Sequence, residues 1–215
     1  MIKLYSYWRS SAAYRVRIAL NLKGLKHEII PVHLMKGGGE QYKADYTALN
    51  PQGLVPTLID DDVTIGQSIA ILEYLDETYP QPALLPQTAA QRAFARQIMQ
   101  LIACDIHPLD NLRVLHYLKN TLAADEGKIG EWYLHWISKG FSALETLLAS
   151  GSGPYCLGKD ITLADVCLIP QLYNAHRFDI PLDAYPALIA IEQASRQLDA
   201  FDKARPENQI DANRG

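Results

Sequence analysis

The sequence predicts an α/β unit followed by an all-α one, on three observations. Residues up to about 80 alternate between strand-like and helix-like apolar periods, "PQPALLPQTAAQ" then interrupts with three prolines, and the rest runs in long helical patterns with almost no β-branched strand signal. Ile2 to Tyr7 reads as a strand, Ser10 to Lys23 as a helix closed by Gly24, and Ile30, Val32 and Leu34 alternate as a second strand. That is a β-α-β start. After a glycine-rich turn, "NPQGLVPTLID" and "VTIGQ" read as two strands joined through Asp60 to Asp62 in an antiparallel hairpin, and "SIAILEYLDETYP" as a helix. The expected division is 1–80, a linker over 81–88, and 89–215, with helices over 89–122, 127–150, 162–176 and 186–202 and a polar, frayed "KARPENQIDANRG" at the end.

Composition bounds the function. The chain has 215 residues, 48% of them hydrophobic, and a net charge of -4, so it has size enough for a core and no basic surplus for nucleic acid or anionic lipid. An anionic ligand must be drawn by locally placed arginines. No stretch approaches the roughly 20 apolar residues of a membrane span, and "MIKLYSYWR" lacks the apolar core of a secretory signal, which makes the cytoplasm the expected location. Cys104, Cys156 and Cys167 have no paired spacing, so neither a disulfide framework nor a metal site is expected.

Four stretches carry candidate chemistry. "RSSAAYRVRIAL" sets two hydroxyls at a helix mouth among three arginines, which fits an anion-holding site or a plain helix cap. Val55-Pro56 precedes a strand, where proline has no ladder proton to give; if the bond is cis, the Val55 backbone is left to pair with an extended peptide, and if trans it simply opens an edge strand. "GQSIAILEYL" places Gln67 and Ser68 at a helix start whose amides favour a carboxylate, a role compatible with capping. Thr162 and Asp165 have capping-box spacing ahead of an apolar run, which makes them structural.

Together these stretches resemble the zeta class of glutathione transferases. "YWRSSAAYRVRIAL" is similar to the class signature Ser-Ser-Cys-x-Trp-Arg-Val-Arg-Ile-Ala-Leu, and "ALNPQGLVPTL", "QSIAILEYL", "LLPQ", "DIHPLDNLRVL", "GKDITLADVCLIPQLYNAHRF" and "YPAL" follow in the family's order. Ala12 stands where the signature has cysteine, and Tyr14 where tryptophan is common. The resemblance implies a thioredoxin-like glutathione-binding domain over 1–80 and an all-helical substrate domain over 89–215, in a homodimer that binds neither nucleic acid nor membrane. It also implies glutathione as cofactor and a small dicarboxylic keto acid as substrate. The implied reaction is cis–trans isomerisation of maleylacetoacetate to fumarylacetoacetate in tyrosine breakdown, by thiolate addition, bond rotation and elimination. Maleylpyruvate isomerisation, transfer to small haloacids and a non-catalytic binding module are the alternatives.

Matching residue by residue, the resemblance gives Ser10, Ser11, Arg9 and Arg177 catalytic parts. Ser10, Ser11, Ala12, Ala13, Tyr14, Arg15, Gln41, Val55, Gln67, Ser68, His107, Asn111, Leu112 and Arg113 would bind the cofactor, with Tyr7 the rival to Ser10 for the thiolate; Arg15 and Arg17 otherwise read as facing the helix surface or making structural ion pairs, although Arg15 falls inside the glutathione-binding signature. The magnitudes fit. Lowering a thiol pKa from about 8.5 by about two units takes about 2.7 kcal/mol, against about 1.5 to 3 from a hydroxyl bond to a charged group and about 0.3 to 1 from a helix start. A thiolate about 4 Å from a substrate carboxylate meets about 4 kcal/mol of repulsion at an effective dielectric of 20, which arginines must cancel.

Overall fold

The computed structural model describes residues 1–212. They divide into two compact units, one of residues Met1–Leu84 together with the chain from Arg196 on, the other of Leu85–Ser195. The first unit is a four-stranded sheet in the order β2-β1-β3-β4, with β1 Ile2–Ser6, β2 His27–Pro31, β3 Thr57–Asp60 and β4 Val63–Gly66. β1 runs parallel to β2, pairing Leu4 with Ile29, and antiparallel to β3, pairing Leu4 with Leu58; β3 and β4 form the expected hairpin. In β1 the residues Ile2, Leu4 and Ser6 face inward and Lys3 outward, the period-two pattern of a strand covered on one face. The second strand lies earlier than its apolar alternation suggested. Its ladder ends at Pro31, and the last contact with β1 is Val32 N–H to Ser6 O at 2.8 Å.

Helices α1 Ser11–Leu22, α2 Ala44–Thr47 and α3 Ser68–Thr78 complete this unit with α9 Asp199–Ala204 from the end of the chain. α1 stops where expected, because Gly24 takes φ +64°, a conformation that favours glycine, and turns its N–H and that of Leu25 back to Asn21 O and Leu20 O. The ammonium of Lys23, wholly buried, donates to Asp76 Oδ1, Tyr79 O and Pro82 O, each at 2.8 Å, so its three protons all find acceptors. This bond set and Leu84 N–H to Asp76 Oδ1 tie down the first half of the segment read as a linker. Within the polar end expected to fray, residues 203–212 are packed instead. Phe201, Ala204 and Asp211 are buried, α9 packs on α1, and only 213–215 lie outside the described residues.

The second unit is helical: α4 Ala89–Gln100, a π-helical turn Leu101–Ile106, α5 Leu112–Asn120, α6 Glu126–Leu148, α7 Leu163–Arg177 and α8 Pro186–Ser195. The helix expected over 89–122 breaks because Pro108 has no N–H to continue it, and Asn111 then caps α5 through Oδ1 to the Arg113 amide. The π turn approaches α6 so closely that a Cβ at Gly140 would stand 2.3 Å from Ile106 Cδ1. The helix expected over 186–202 also divides, after Ser195, with no proline or glycine at the break; burial of Phe201 and Ala204 in the first unit draws the chain away. α7 supplies much of the core through Leu163, Val166, Leu168 and Leu172. At its start the buried Asp165 carboxylate accepts from Thr162 N, Thr162 Oγ1 and Cys156 N at 2.8, 2.9 and 2.7 Å.

Asp165→Ala would strand two buried main-chain amides and a hydroxyl. It is expected to lower unfolding stability by about 3 kcal/mol, readable in urea titration, with Asp165→Asn in between.

Candidate active site

Two helix starts in the first unit share one design. At α1, Ser10 is extended (φ -69°, ψ 117°) and its Oγ accepts the Ala13 N–H at 3.2 Å. The cap uses an oxygen lone pair and leaves the hydroxyl proton to give. At α3, Ser68 Oγ accepts from Arg15 Nη1 at 3.1 Å, which again leaves the serine proton to give. Arg15 is 1% exposed, so its charge lies under the α3 start without meeting solvent. The first-turn amides of α3 have no carbonyl of their own helix to bond, and the helix dipole adds positive potential there.

Gln67 precedes them at φ +66°, an unusual backbone for a side chain, with its Nε2 on Gln52 Oε1 at 2.6 Å. The loop before β3 is built to the same end. Leu54 O accepts from Tyr46 Oη at 2.6 Å and Asn50 Nδ2 at 2.7 Å, and both side chains also reach Thr57 Oγ1. Pro56 follows Val55 through a cis bond, and the Val55 N–H and C=O have no partner among the described residues. Gln41 is buried with Nε2 on Leu34 O, while its Oε1 has no partner among the described residues. The unpaired Val55 N–H and C=O, an amide oxygen without a partner among the described residues and two serine hydroxyls with a proton to give at positive helix ends are donors and acceptors that would suit a short acidic peptide.

Arg9 borders Ser10. Its guanidinium lies 4.7 Å from the Trp8 ring centre, and Nη2 donates to Tyr7 Oη at 3.3 Å. Tyr7 is buried, whereas Ser10 is half-buried. Ser11, Ala13 and Tyr14 are buried too, and burial raises the Tyr14 phenol well above its ordinary range. With Ala13 and Tyr14 almost without surface, they and Arg15 can serve a ligand only through neighbours. Arg17, expected on the helix surface or in an ion pair, is 1% exposed and donates to Ser6 Oγ, Tyr7 O, Trp8 O and Ala204 O. Acceptors built from carbonyl and hydroxyl dipoles are what allow it inside.

The second unit gathers the other candidates. His107 ends the π turn, Asn111 caps α5, Leu112 begins that helix, and Arg113 is exposed. Arg177 is the last residue of α7, exposed, with its guanidinium 4.7 Å from the Phe178 ring centre; Phe178 stacks on Tyr133 at 3.9 Å. Asp110 was not anticipated. It is 7% exposed with neither carboxyl oxygen bonded among the described residues, and burial pushes its pKa up to about 8. Burial also raises the Tyr133 phenol, the Asp110 charge adds to that rise and Arg177 opposes it, which puts the three groups in one electrostatic neighbourhood.

The description "Glutathione S-transferase, N-terminal domain" matches residues 9–78 and "Glutathione S-transferase, C-terminal domain" residues 137–194. A probable maleylacetoacetate isomerase of Vibrio cholerae is 52% identical over 97% of this chain and 97% of its own length. A holo maleylpyruvate isomerase described as a bacterial glutathione S-transferase of the zeta class superposes with a TM-score of 0.94 at 47% identity, covering 98% of this chain and 99% of the other. The chain belongs to the zeta class of glutathione transferases. A third relative of this class, the maleylacetoacetate isomerase of Methylobacterium extorquens AM1, solved with malonate and glutathione bound, has a TM-score of 0.93 at 41% identity over 98% and 99% of the two chains.

Glutathione is the cofactor of the class, and the first unit fits it. The tripeptide brings two carboxylates, which suit hydroxyls with a proton to give and helix-start amides, and an extended backbone, which would suit the unpaired Val55. The sequence missed the supporting groups Tyr46, Asn50, Gln52 and Arg17. Only "NP" in "LNPQG" offered a local signal, that of a turn.

Asp110 makes stability depend on pH. In the unfolded chain its carboxyl titrates near about 3.9, but in the fold near about 8, so between those values the native state holds a proton that unfolding releases. Stability should therefore fall as pH rises through this window. Asp110→Asn is expected to be about 1 to 3 kcal/mol more stable than the parent at pH about 8 and equal to it below pH about 4, in thermal melts across pH.

Proposed function

We propose that this chain is a glutathione-dependent cis–trans isomerase that converts maleylacetoacetate to fumarylacetoacetate. The observation that carries the reading is the Ser10 hydroxyl: its oxygen caps α1, its proton is left to give, and Arg9 lies beside it. Support also comes from the names that relatives bear across nearly the whole chain. When bound, glutathione supplies a thiol whose ionised sulfur adds to the cis double bond and departs once that bond has turned.

The protein's share is to hold and ionise. Ser68, the α3 amides and Gln67 would fix the γ-glutamyl end, Val55 the backbone and Gln41 an amide. Ser10, backed by Ser11 and the α1 dipole, would donate to the sulfur and favour its ionised form by about 2 to 4 kcal/mol, enough for a shift of about two units. Tyr7 suits that role less, since it is buried whereas Ser10 is half-buried. Arg9 and Arg177 are the proposed forks for substrate carboxylates and for charge that develops on the keto oxygen. His107, Asn111, Leu112 and Arg113 are further proposed contacts, supported by the class resemblance. The same resemblance supports a homodimer in the cytoplasm.

Maleylpyruvate is the second reading, favoured by the zeta-class structure of that name at TM-score 0.94. The chemistry is the same on a shorter diacid.

Turnover of maleylacetoacetate should proceed with glutathione far below substrate concentration, stop without it and leave the thiol unconsumed; the same assay with maleylpyruvate ranks the two substrates. Consumption of one glutathione per turnover would point to a transferase instead. Ser10→Ala is expected to cut kcat about 10- to 100-fold while Ser10→Thr, which keeps the hydroxyl, retains most of it.

A further inference from the structure

The loop from Tyr7 to Ser10 is gripped on both edges by groups that lie outside it. On its carbonyl edge, Arg17 donates Nη1 to Tyr7 O at 3.4 Å and Nη2 to Trp8 O at 3.0 Å, while its Nε holds Ala204 O at 3.0 Å. On its amide edge, Trp8 N–H donates to Asp211 Oδ2 at 3.0 Å, across 203 residues of sequence. Asp211 is 4% exposed. A carboxylate taken that far out of water needs compensation, and here a main-chain N–H provides it.

Trp8 is therefore fixed at both its amide and its carbonyl, and everything next to it takes its direction from that residue. The Arg9 guanidinium rests 4.7 Å from the Trp8 ring centre, and Ser10 N–H closes the turn on Tyr7 O at 2.9 Å. Loss of the Asp211 bond would strand the Trp8 N–H and leave the Tyr7–Trp8 peptide held on its carbonyl edge alone, by Arg17 and Ser10 N–H, so that it can tilt about that edge. Both the stacking face under Arg9 and the entry into α1 at Ser10 would move with it.

We propose that Asp211 is a positioning residue for Arg9 and Ser10, so that the last described turn of the chain is a working part of the glutathione site rather than a tail. The proposal rests on the reading of Ser10 as thiolate donor given above. Asp211 touches no ligand; it acts through the Trp8 amide.

The test compares Asp211→Ala, Asp211→Asn and Asp211→Glu with the parent. The pKa of bound glutathione is read from ultraviolet thiolate absorbance, affinity for glutathione and for S-methylglutathione from calorimetry, and folding from circular dichroism. Asp211→Ala is expected to raise the bound-thiol pKa by about one unit, from about 6.5 to about 7.5, which lowers the thiolate fraction at pH about 7 about threefold. Affinity for S-methylglutathione, which has no thiol to ionise, should stay within about twofold, since a tenfold loss alone would mark a general loss of binding. Asp211→Asn keeps an acceptor for the Trp8 amide and should restore most of the parent value. If Asp211→Ala does not fold, Asp211→Glu decides, because it keeps the charge but displaces the acceptor and should still raise the thiol pKa.

An unchanged thiol pKa in a folded Asp211→Ala or, failing that, Asp211→Glu would overturn the proposal, even with a lowered melting temperature. A parent that binds no glutathione would overturn the functional reading and this proposal together; a parent that binds it, with variants that show no shift, would overturn this proposal alone.

Discussion

The first unit depends on a serine oxygen that does two jobs at once. Ser10 must accept a main-chain proton to start α1, and a hydroxyl that accepts still has its own proton to donate. The helix start and the proposed anion site are thus one feature. Arg15 repeats the arrangement at α3, where a buried guanidinium occupies the Ser68 oxygen and leaves that hydroxyl its proton to give. Neither serine needs a neighbouring base, and the two helix starts are held near each other because the arginine that orients the second belongs to the first helix.

The parts of this arrangement that obey local rules were legible in the sequence. The β-α-β start, the acidic hairpin, the Gly24 stop and the Ser10 cap follow from period, turn chemistry and capping preference, all of which act within a few residues. The fates of Arg15 and Arg17 do not. In a helical pattern two arginines read as solvated, and only tertiary structure supplies the hydroxyls and carbonyls that let both go inside. Likewise the helix expected over 186–202 has no local breaker, and what divides it is the burial of Phe201 and Ala204 far away in sequence.

The second unit was read with the right composition and the wrong joints. Pro108 ended a helix that periodicity alone had carried on to residue 122, and the π turn before it brought Ile106 against Gly140. Asp110 escaped notice because an aspartate ahead of Asn111 reads as ordinary turn chemistry. Its burial without a bonded partner is a property of the packed unit, and it places a group with unusual proton affinity in the electrostatic neighbourhood of Tyr133 and Arg177.

The return of α9 to α1 gives the first unit a discontinuous chain, with Leu85–Ser195 inserted in its middle. During synthesis the helical insert emerges complete, while the β-α-β portion made earlier must wait for Phe201, Ala204 and Asp211 to cover α1 and brace its leading turn. The part of the first unit that precedes the insert is therefore completed only after the insert has been made, by a long-range closure of the kind that loop entropy makes slow.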